Sequence, residues 1–451
     1  MNTSKHRTVL FVTYEFPPTG GAGVQRLAKF ARYLPANGWR PAVLCARHVE
    51  GRPVDETLSE DVAGVKVVRT RALPINAWVS RSLKFARGIR DALFRRRHVP
   101  SDAAANKAPV QFAARVASTG RSGRTEQITR LIAVPDFAVL WIGPAVRAGV
   151  RLAKDVGADV VFASGPPFSV HIVGRRIARN LGLPLVVDYR DAWRDNPGNA
   201  WYPSAWHRRR SLALEREVLA GAAVVTTAHP ITDEILEMGG PEPIVVPNGF
   251  DRADLPNWSP DKTGPLVLAF MGIFYSARDP LPVFQALRDA REGIDGRRRD
   301  IRLRIVGRWP DYVERVIQQL GLTDAVELHP YVPHKQALAM VAASDVGLVV
   351  LADLPCVHGT PAKLYEYLGV GMPVLFVGPV EGHAQSLIAE ANAGVVVPYT
   401  DTRAIAEALS RFADAKASGH LGVAIRTDVV DRYERSAEAA QLAGVLDSLV
   451  S

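Results

Sequence analysis

The stretch with the clearest chemical signature is residues 359–374, Gly-Thr-Pro-Ala-Lys-Leu-Tyr-Glu-Tyr-Leu-Gly-Val-Gly-Met-Pro-Val. Thr360 can cap a helix and Pro361 suits a first helical turn, while a glycine and a proline near the end stop it. Lys363 and Glu366 are spaced to share one helical face. A helix N-terminus with a lysine can bind a diphosphate, and a glutamate one turn later can accept hydrogen bonds from ribose hydroxyls. The spacing predicts a nucleotide site, the alternative being that Glu366 is an ordinary solvated residue.

A second candidate anion site is the glycine-rich segment 15–26, Glu-Phe-Pro-Pro-Thr-Gly-Gly-Ala-Gly-Val-Gln-Arg, which follows the first apolar run. Gly20 and Gly21 let backbone N–H groups approach an anion at the start of a helix. The segment is not a dinucleotide-binding fingerprint, because Arg26 takes the place of its third glycine and residues 46–48 lack an acidic ribose ligand. The pattern argues against a nicotinamide enzyme and leaves either a diphosphate-binding turn or a purely structural turn.

Charged residues also follow a predicted buried strand at residues 185–188. Asp188, Arg190 and Asp191 come at its carboxyl end, where open α/β sheets bind their ligands. The neighbouring strand ends in a Ser-Gly-Pro-Pro loop at residues 164–167, so we expect both loops to face one crevice. Asp191 is therefore a candidate site residue, although a helix cap or an ion pair with Arg190 would also explain it.

The amino-acid composition limits which classes of protein this chain can belong to. The chain has 451 residues, 47% apolar and 22% charged, which fits two large α/β domains and excludes a disordered chain, a fibrous repeat or a coiled coil. Its two cysteines are too few for a disulfide scaffold and point to a reducing compartment. No stretch reaches the roughly 18 apolar residues of a membrane span, and Glu15 stops the first apolar run short of a signal peptide. We therefore expect a cytoplasmic protein.

The net charge of +9 is unevenly distributed along the chain. Residues 1–250 hold 35 lysines and arginines against 21 acidic residues, whereas residues 251–451 hold 20 against 25. A basic half can meet nucleic acid, an anionic membrane or an anionic substrate, and charge alone does not choose among these partners.

Short β-rich runs alternate with helix-period segments in both halves of the chain. The first series of predicted strands covers residues 9–14, 41–45, 65–68, 159–163, 185–188 and 223–227. After a polar, proline-rich boundary at 251–264, a second series covers 266–271, 301–306, 326–328, 346–351, 374–377 and 395–397. Continuous apolar strands that alternate with helices are typical of parallel sheets covered on both faces. The pattern predicts an α/β protein with two Rossmann-like, doubly wound domains, residues 1–255 and 262–426, facing a central cleft.

Residues 78–97 are predicted to form a basic amphipathic helix in the first domain. Apolar residues recur at helical spacing on one face, and the remaining faces carry basic residues, among them Arg87, Arg90, Arg95 and Arg96. Such a helix fits either a crossover helix with a solvated face or a peripheral contact with anionic lipid. The following residues, 98–130, lack strand runs and periodicity and are interpreted as a mobile polar excursion.

Taken together, these motifs resemble the family 4 retaining glycosyltransferases of the GT-B fold over nearly the whole chain. The matching pieces are Pro-Pro-Thr-Gly-Gly at 17–21, Ser-Gly-Pro-Pro at 164–167, Asp-Tyr-Arg-Asp-Ala-Trp at 188–193, Val-Pro-Asn-Gly-Phe-Asp at 246–251 and Pro-Ala-Lys-Leu-Tyr-Glu-Tyr-Leu at 361–368. The resemblance implies an acceptor-side first domain, a donor-binding second domain and a last helix, within residues 427–451, that returns toward the first domain. It also implies retaining transfer of a sugar from a nucleotide-diphosphate donor to a polysaccharide or lipid-linked glycan, at the inner face of a bacterial plasma membrane.

The resemblance carries roles to individual residues. Donor binding falls on Gly20, Gly21, Arg278, His358, Pro361, Lys363, Leu364 and Glu366, and catalysis on Arg190 and Asp191. Three positions depart from the family pattern: His358 replaces the first of two glutamates, Arg278 stands alone for a basic pair, and Arg190 replaces a histidine. Arg308 and Trp309 also stand where small or acidic residues are usual.

Neither the motifs nor the resemblance points to a metal or another cofactor. The sequence contains no Asp-x-Asp pair, and its eleven histidines form no cluster with ligand spacing. We therefore expect metal-independent departure of the nucleotide and no nucleic-acid partner. Two alternatives stay open: a sugar-nucleotide epimerase or hydrolase on the same fold, and a non-catalytic sugar-nucleotide-binding protein.

Overall fold

A computed structural model describes residues 7–47, 54–72, 75, 131–194, 202–261, 263–275, 278–293, 295–352, 359–421 and 423–450. The predicted basic helix at 78–97, with Arg87, Arg90, Arg95 and Arg96, and the predicted excursion at 98–130 lie outside these ranges. His358 lies outside them as well.

The first domain is built on a parallel sheet of seven strands in the order β3-β2-β1-β4-β5-β6-β7. Strands β1 to β7 run over Arg7–Val12, Trp39–Ala46, Lys66–Thr70, Val160–Gly165, Leu185–Tyr189, Val224–Thr227 and Ile244–Val245. The first six confirm the predicted strands to within a few residues. The sequence pattern did not indicate β7, because a strand of two residues has no periodicity to detect.

The second domain repeats this plan with a parallel sheet of six strands in the order β10-β9-β8-β11-β12-β13. Strands β8 to β13 run over Leu266–Ile273, Ile301–Arg308, Val326–Pro330, Val346–Val350, Val374–Val377 and Gly394–Val397. All six confirm predicted strands. In both sheets the first strand of the domain lies in the interior, so the chain winds outward in both directions from it.

Helices separate the strands in both domains. In the described part of the first domain, α1 to α6 cover Ala22–Tyr33, Thr57–Asp61, Ile142–Val156, Ser169–Leu181, Ala205–Leu219 and Thr232–Glu237. In the second domain, α7 to α12 cover Leu281–Glu292, Tyr312–Gln319, His334–Ala342, Ala362–Val370, His383–Glu390 and Thr402–Ala417. The carboxy-terminal helices α13 and α14 cover Thr427–Val430 and Arg435–Asp447. Of the helices in the described ranges, none is long and apolar enough to cross a bilayer.

Apolar side chains cover both faces of each sheet. In β1, Leu10 and Val12 belong to the core on one face, whereas Val9 and Phe11 belong to the core on the other. This alternation follows from the two-residue period of a strand, and it is why fully apolar runs form central strands here. Each such side chain contributes about 1.5–3 kcal/mol by leaving water. The structure confirms the α/β class with two Rossmann-like domains.

The chain passes between the two domains at residues 246–265 and again near residue 434, and these passages are bonded to each other. The Phe250 N–H donates to the carbonyl of Tyr433 at 3.0 Å, and the Arg435 N–H donates to the carbonyl of Phe250 at 2.8 Å. Helix α14 then packs on α1, with Leu442 and Leu446 buried in the core of the first domain. The carboxy-terminal segment therefore ties the second domain to the first.

Candidate functional site

The lysine and glutamate of segment 359–374 lie on α10, but the helix begins differently from the prediction. Its N-cap is Pro361, and its end is Gly371 in a left-handed conformation with φ 84°. Thr360 does not cap the helix, since its hydroxyl lies 2.8 Å from Nδ1 of His383. Glu366 is only 6% exposed, which rules out the alternative of an ordinary solvated helix residue.

Lys363 is a buried lysine whose amine forms no hydrogen bond or ion pair with any other described residue. Its Nζ lies 3.5 Å from the centroid of the Phe270 ring and has no hydrogen-bond partner in the described part of the chain. Gly272, near the end of β8, leaves room for the amine, because a Cβ there would lie 3.2 Å from Nζ. Its backbone has φ +129°, a conformation that also favours glycine. Burial lowers the pKa of Lys363 well below its ordinary value, and the charge of Arg278 lowers it further. The Phe270 ring face compensates only part of the cost of burying an ammonium, so the arrangement favours binding of an anion.

Arg278 adds a second positive charge near Lys363. Its guanidinium lies 5.2 Å from the centroid of the Tyr275 ring, and its Nε has no hydrogen-bond partner among the residues the structure describes. Pro361 and Leu364 are buried, and Leu364 belongs to the core under α10. The two thus position the helix, whereas Lys363 and Arg278 supply the charge that a diphosphate needs.

Glu366 is held by a histidine that sequence reasoning did not find. Its Oε1 lies 2.7 Å from Nε2 of His334, the first residue of α9, which stands 32 residues earlier in the chain. Burial lowers the pKa of His334, but the Glu366 carboxylate outweighs burial and leaves that pKa raised. No local spacing could have indicated the pair, because its two residues lie on different helices and meet only in the folded domain.

The glycine-rich segment places Gly20 and Gly21 in different surroundings. Gly21 is the exposed N-cap of α1, with φ +130°. Gly20 is buried where the two domains meet, since a Cβ there would overlap the hydroxyl of Tyr331 and lie 3.1 Å from the Cβ of Asp55. Gly21 leaves the start of α1 open to a ligand, whereas Gly20 leaves room for the Tyr331 hydroxyl of the second domain.

Arg190 links the loop after β4 to the first turn of α1, at the carboxyl ends of the strands of the first sheet. Its Nη1 donates to the carbonyl of Gly23 at 2.9 Å, and its Nη2 donates to the carbonyl of Pro166. The bond to Pro166 connects the loops after β4 and β5, which agrees with the expectation that they face one crevice. Asp191 is exposed and forms no ion pair with Arg190. Burial lowers the pKa of the nearby His229, and the charge of Asp191 offsets part of that lowering. Arg190 therefore orders the loops, and Asp191 is the carboxylate available to a ligand.

Asp188 lies inside β5 and takes no part in the site. Its carboxylate accepts hydrogen bonds from Arg26 at 2.9 Å, Ser164 at 2.6 Å and Thr226 at 2.8 Å, and it is completely buried. Burial raises the pKa of Asp188, but the Arg26 guanidinium and the two hydroxyls outweigh burial and hold that pKa below its ordinary value. Asp188 is a structural residue that links β4, β5, β6 and α1.

A further histidine reaches the site from the first domain. His229 follows β6, and its Nδ1 accepts a hydrogen bond from the Thr360 N–H at 3.2 Å. Burial lowers the pKa of His229 to about 4, so the ring is neutral and able to accept that bond. Within the described ranges no three His, Cys, Asp or Glu side chains converge as a metal site. The cleft therefore brings together Lys363, Arg278, Glu366, His334 and His229.

Comparisons with known proteins agree with this architecture. The family model "Glycosyl transferase 4-like domain" matches residues 20–249, just over half of the chain, and the model "Glycosyl transferases group 1" matches residues 251–420. Among curated protein sequences, none matches this chain significantly. The boundary between the two models falls in the linker described above.

Several solved structures share the whole arrangement at low sequence identity. Sucrose-phosphate synthase from Thermosynechococcus elongatus is 15% identical with a TM-score of 0.63, covering 98% of this chain and 99% of that one. HepE from Anabaena, solved with UDP-glucose, is 14% identical with a TM-score of 0.63, covering 98% and 100%. The lipopolysaccharide outer core galactosyltransferase WaaB is 12% identical with a TM-score of 0.57, covering 98% and 99%. The chain belongs to the glycosyltransferases that join a glycosyl transferase 4-like domain to a group 1 domain, and it has the GT-B fold.

Proposed function

We propose that the protein transfers a sugar from a nucleotide-diphosphate sugar that binds in the cleft at the start of α10. The observation that carries the proposal is the buried ammonium of Lys363, which has no partner among the described residues and lies near Arg278. A diphosphate would neutralise both cations. Glu366, on the same face of α10 and oriented by His334, is then placed for the ribose hydroxyls. The structure of HepE with UDP-glucose supports a donor of this class.

The same residues explain how the nucleotide leaves. The bond between the anomeric carbon and the phosphate oxygen breaks, and negative charge accumulates on the departing diphosphate. Lys363, Arg278 and the N-terminus of α10 stabilise that charge in a site of low dielectric constant, where such interactions are strong. An acceptor hydroxyl then attacks the oxocarbenium-like centre from the face that the nucleotide leaves, and its proton passes to the departing diphosphate oxygen. Attack from that face retains the anomeric configuration. Asp191 is our candidate for contact with the acceptor, with Arg190 holding the loops around it.

Glu366→Ala is expected to weaken nucleotide binding by about tenfold or more, because a hydrogen bond to a charged group contributes about 1.5–3 kcal/mol. Calorimetry with UDP, GDP, ADP and dTDP measures the effect. Glu407→Ala is the matched control, since Glu407 lies on α12 and pairs with the exposed Arg403. Unchanged affinity in folded Glu366→Ala would contradict the assignment. Turnover of the nucleotide sugar without any acceptor would favour a hydrolase or epimerase, and absence of turnover would favour a non-catalytic binding protein.

Activity is expected to survive removal of divalent metal ions, because side chains can supply the positive charge that the departing diphosphate requires. The assay compares initial rates before and after treatment with EDTA, using the nucleotide sugar that binds. Rates within about twofold would agree with leaving-group stabilisation by Lys363 and Arg278. A complete loss of activity that Mg²⁺ or Mn²⁺ restores would show that the metal, and not these cations, carries the charge.

We also propose that the acceptor is a polysaccharide or lipid-linked glycan met at an anionic membrane surface. The basic composition of residues 1–250 supports this proposal. Exposed aromatic and basic residues on α5 support it as well. Trp206 is 63% exposed there, beside exposed Arg208, Arg209 and Arg210. An exposed tryptophan among arginines is typical of contact with lipid headgroups, and each basic residue near an anionic surface contributes about 1 kcal/mol.

Liposome co-sedimentation tests this proposal with three variants. Arginine-to-serine changes at 87, 90, 95 and 96, or at 208, 209 and 210, should each reduce binding to anionic vesicles, and added salt should weaken binding by the wild type. The matched control replaces Arg297, Arg298 and Arg403, which are exposed on the second domain, by serine. Equal binding to anionic and neutral vesicles, or equal losses in all three variants, would contradict membrane contact by the first domain.

A further inference from the structure

Two hydrogen bonds cross the cleft from the first domain onto the helices that carry the donor site. His229 accepts from the Thr360 N–H through Nδ1 at 3.2 Å. Asp55, which lies before α2, accepts from the His334 N–H through Oδ2 at 2.9 Å. Thr360 lies just before α10 and His334 begins α9, so both bonds reach the start of a helix in the second domain. Backbone N–H groups at these positions have no partner within their own helix.

Each bond lies beside a glycine whose missing side chain leaves room for a residue of the other domain. A Cβ at Gly359 would lie 2.7 Å from Nε2 of His229. A Cβ at Gly20 would overlap the Tyr331 hydroxyl next to Asp55. The two glycines, one in each domain, therefore leave space for the His229 ring and the Tyr331 hydroxyl beside the two bonds.

Asp55 is fixed within the first domain, and the two N–H groups that donate these bonds belong to segments that carry the nucleotide site. Asp55 is 1% exposed, and its other carboxylate oxygen accepts from the hydroxyl of Thr57 at 2.6 Å. Across the cleft, His334 contacts Glu366, and Thr360 precedes the turn of α10 that carries Lys363. A movement of the first domain away from the second would break both bonds and release the starts of α9 and α10.

We propose that the first domain completes the donor site through these bonds, with His229 and Asp55 as positioning residues for the reaction. Asp55 caps α9 and so fixes His334 and, through it, Glu366. His229 holds the turn at residues 359–361 and so fixes the start of α10. The inference rests on the proposed function of the same site, and it adds two residues of the first domain to those that determine affinity for the nucleotide.

The test measures affinity for the nucleoside diphosphate that binds best among UDP, GDP, ADP and dTDP, using the full chain. Asp55→Ala should weaken binding by about tenfold, and His229→Ala by about threefold to tenfold. The conservative variants Asp55→Asn and His229→Asn keep an acceptor oxygen in place and should recover affinity to within about threefold of the wild type. With a nucleotide sugar, the alanine variants should raise KM more than they lower kcat.

Asp401→Ala is the matched control for a lost helix cap. Asp401 caps α12 within the second domain by accepting from the Ala404 N–H at 2.9 Å, so its loss should lower the melting temperature without changing nucleotide affinity. Wild-type affinity in folded Asp55→Ala and His229→Ala, or no recovery in the asparagine variants, would overturn the inference while the proposed function stands. If the wild type binds none of the nucleotides, both are overturned.

Discussion

Replacing Lys363 by methionine is expected to reduce nucleotide affinity by about 100-fold or more while leaving the nucleotide-free protein more stable than the wild type. Loss of affinity follows because the ammonium is one of two cations available to the phosphates. The gain in stability follows because methionine has a similar length and fills the same space against Phe270 without a charge to desolvate. A lone buried charge costs several kcal/mol, so the gain should be on the order of 1 kcal/mol or more.

The stability difference between the wild type and Lys363→Met should depend on pH. Since burial lowers the pKa of Lys363 in the folded protein, the unfolded chain binds the additional proton. The wild type therefore gains stability as pH rises from the folded-state pKa toward the ordinary lysine value of about 10.4. Lys363→Met lacks this gain. The difference in unfolding free energy between the two proteins should accordingly shrink as pH rises through that range.

Lys416 provides the control for this prediction. It is also buried, but its Nζ donates to Asp345 at 2.6 Å and to the carbonyl of Pro265 at 2.8 Å. Lys416→Met should destabilise the protein by about 3–5 kcal/mol, because it leaves Asp345 without its cation, and nucleotide affinity should not change. Denaturant unfolding and calorimetry on both variants measure the contrast. A destabilised Lys363→Met with normal affinity would mean that Lys363 is an ordinary structural lysine.

The strands were predictable because each one satisfies a local rule. Central parallel strands are covered on both faces, so runs such as residues 346–350 are apolar throughout and stand out in the sequence. Lys363 and Glu366 were found for a similar reason, since both lie on one helix at a spacing that places them together. Features that depend on one helix or one strand can therefore be predicted from the spacing of its residues.

The partners of those residues could not be read in the same way. His334, His229 and Asp55 reach the site from three other segments, and only the packing of two domains brings them together. The predicted cap at Thr360 failed for the same reason, because His383 takes its hydroxyl. Tertiary contacts decide these cases, and they leave no periodicity in the sequence.

Asp188 and Asp191 are only three residues apart, but we expect the first to stabilise the fold and the second to act in the reaction. Asp188→Ala should destabilise the protein by about 3–5 kcal/mol, because it leaves the completely buried guanidinium of Arg26 without its counter-charge. For a domain of this size that is a fall in melting temperature on the order of 10 °C. Asp191→Ala changes an exposed side chain and should alter stability by less than about 0.5 kcal/mol.

The effect on activity should be the reverse of the effect on stability. Asp191→Ala should fold normally but lose its turnover of the nucleotide sugar. Thermal unfolding and turnover, measured on both variants, test this. Because the pKa of Asp188 is held below its ordinary value, its contribution is present above about pH 3.9 and is lost as pH falls further. The gap in stability between wild type and Asp188→Ala should therefore be constant at neutral pH and narrow in acid. A stable Asp188→Ala, or a gap that narrows near neutrality, would show that the network around Arg26 does not hold the first domain together.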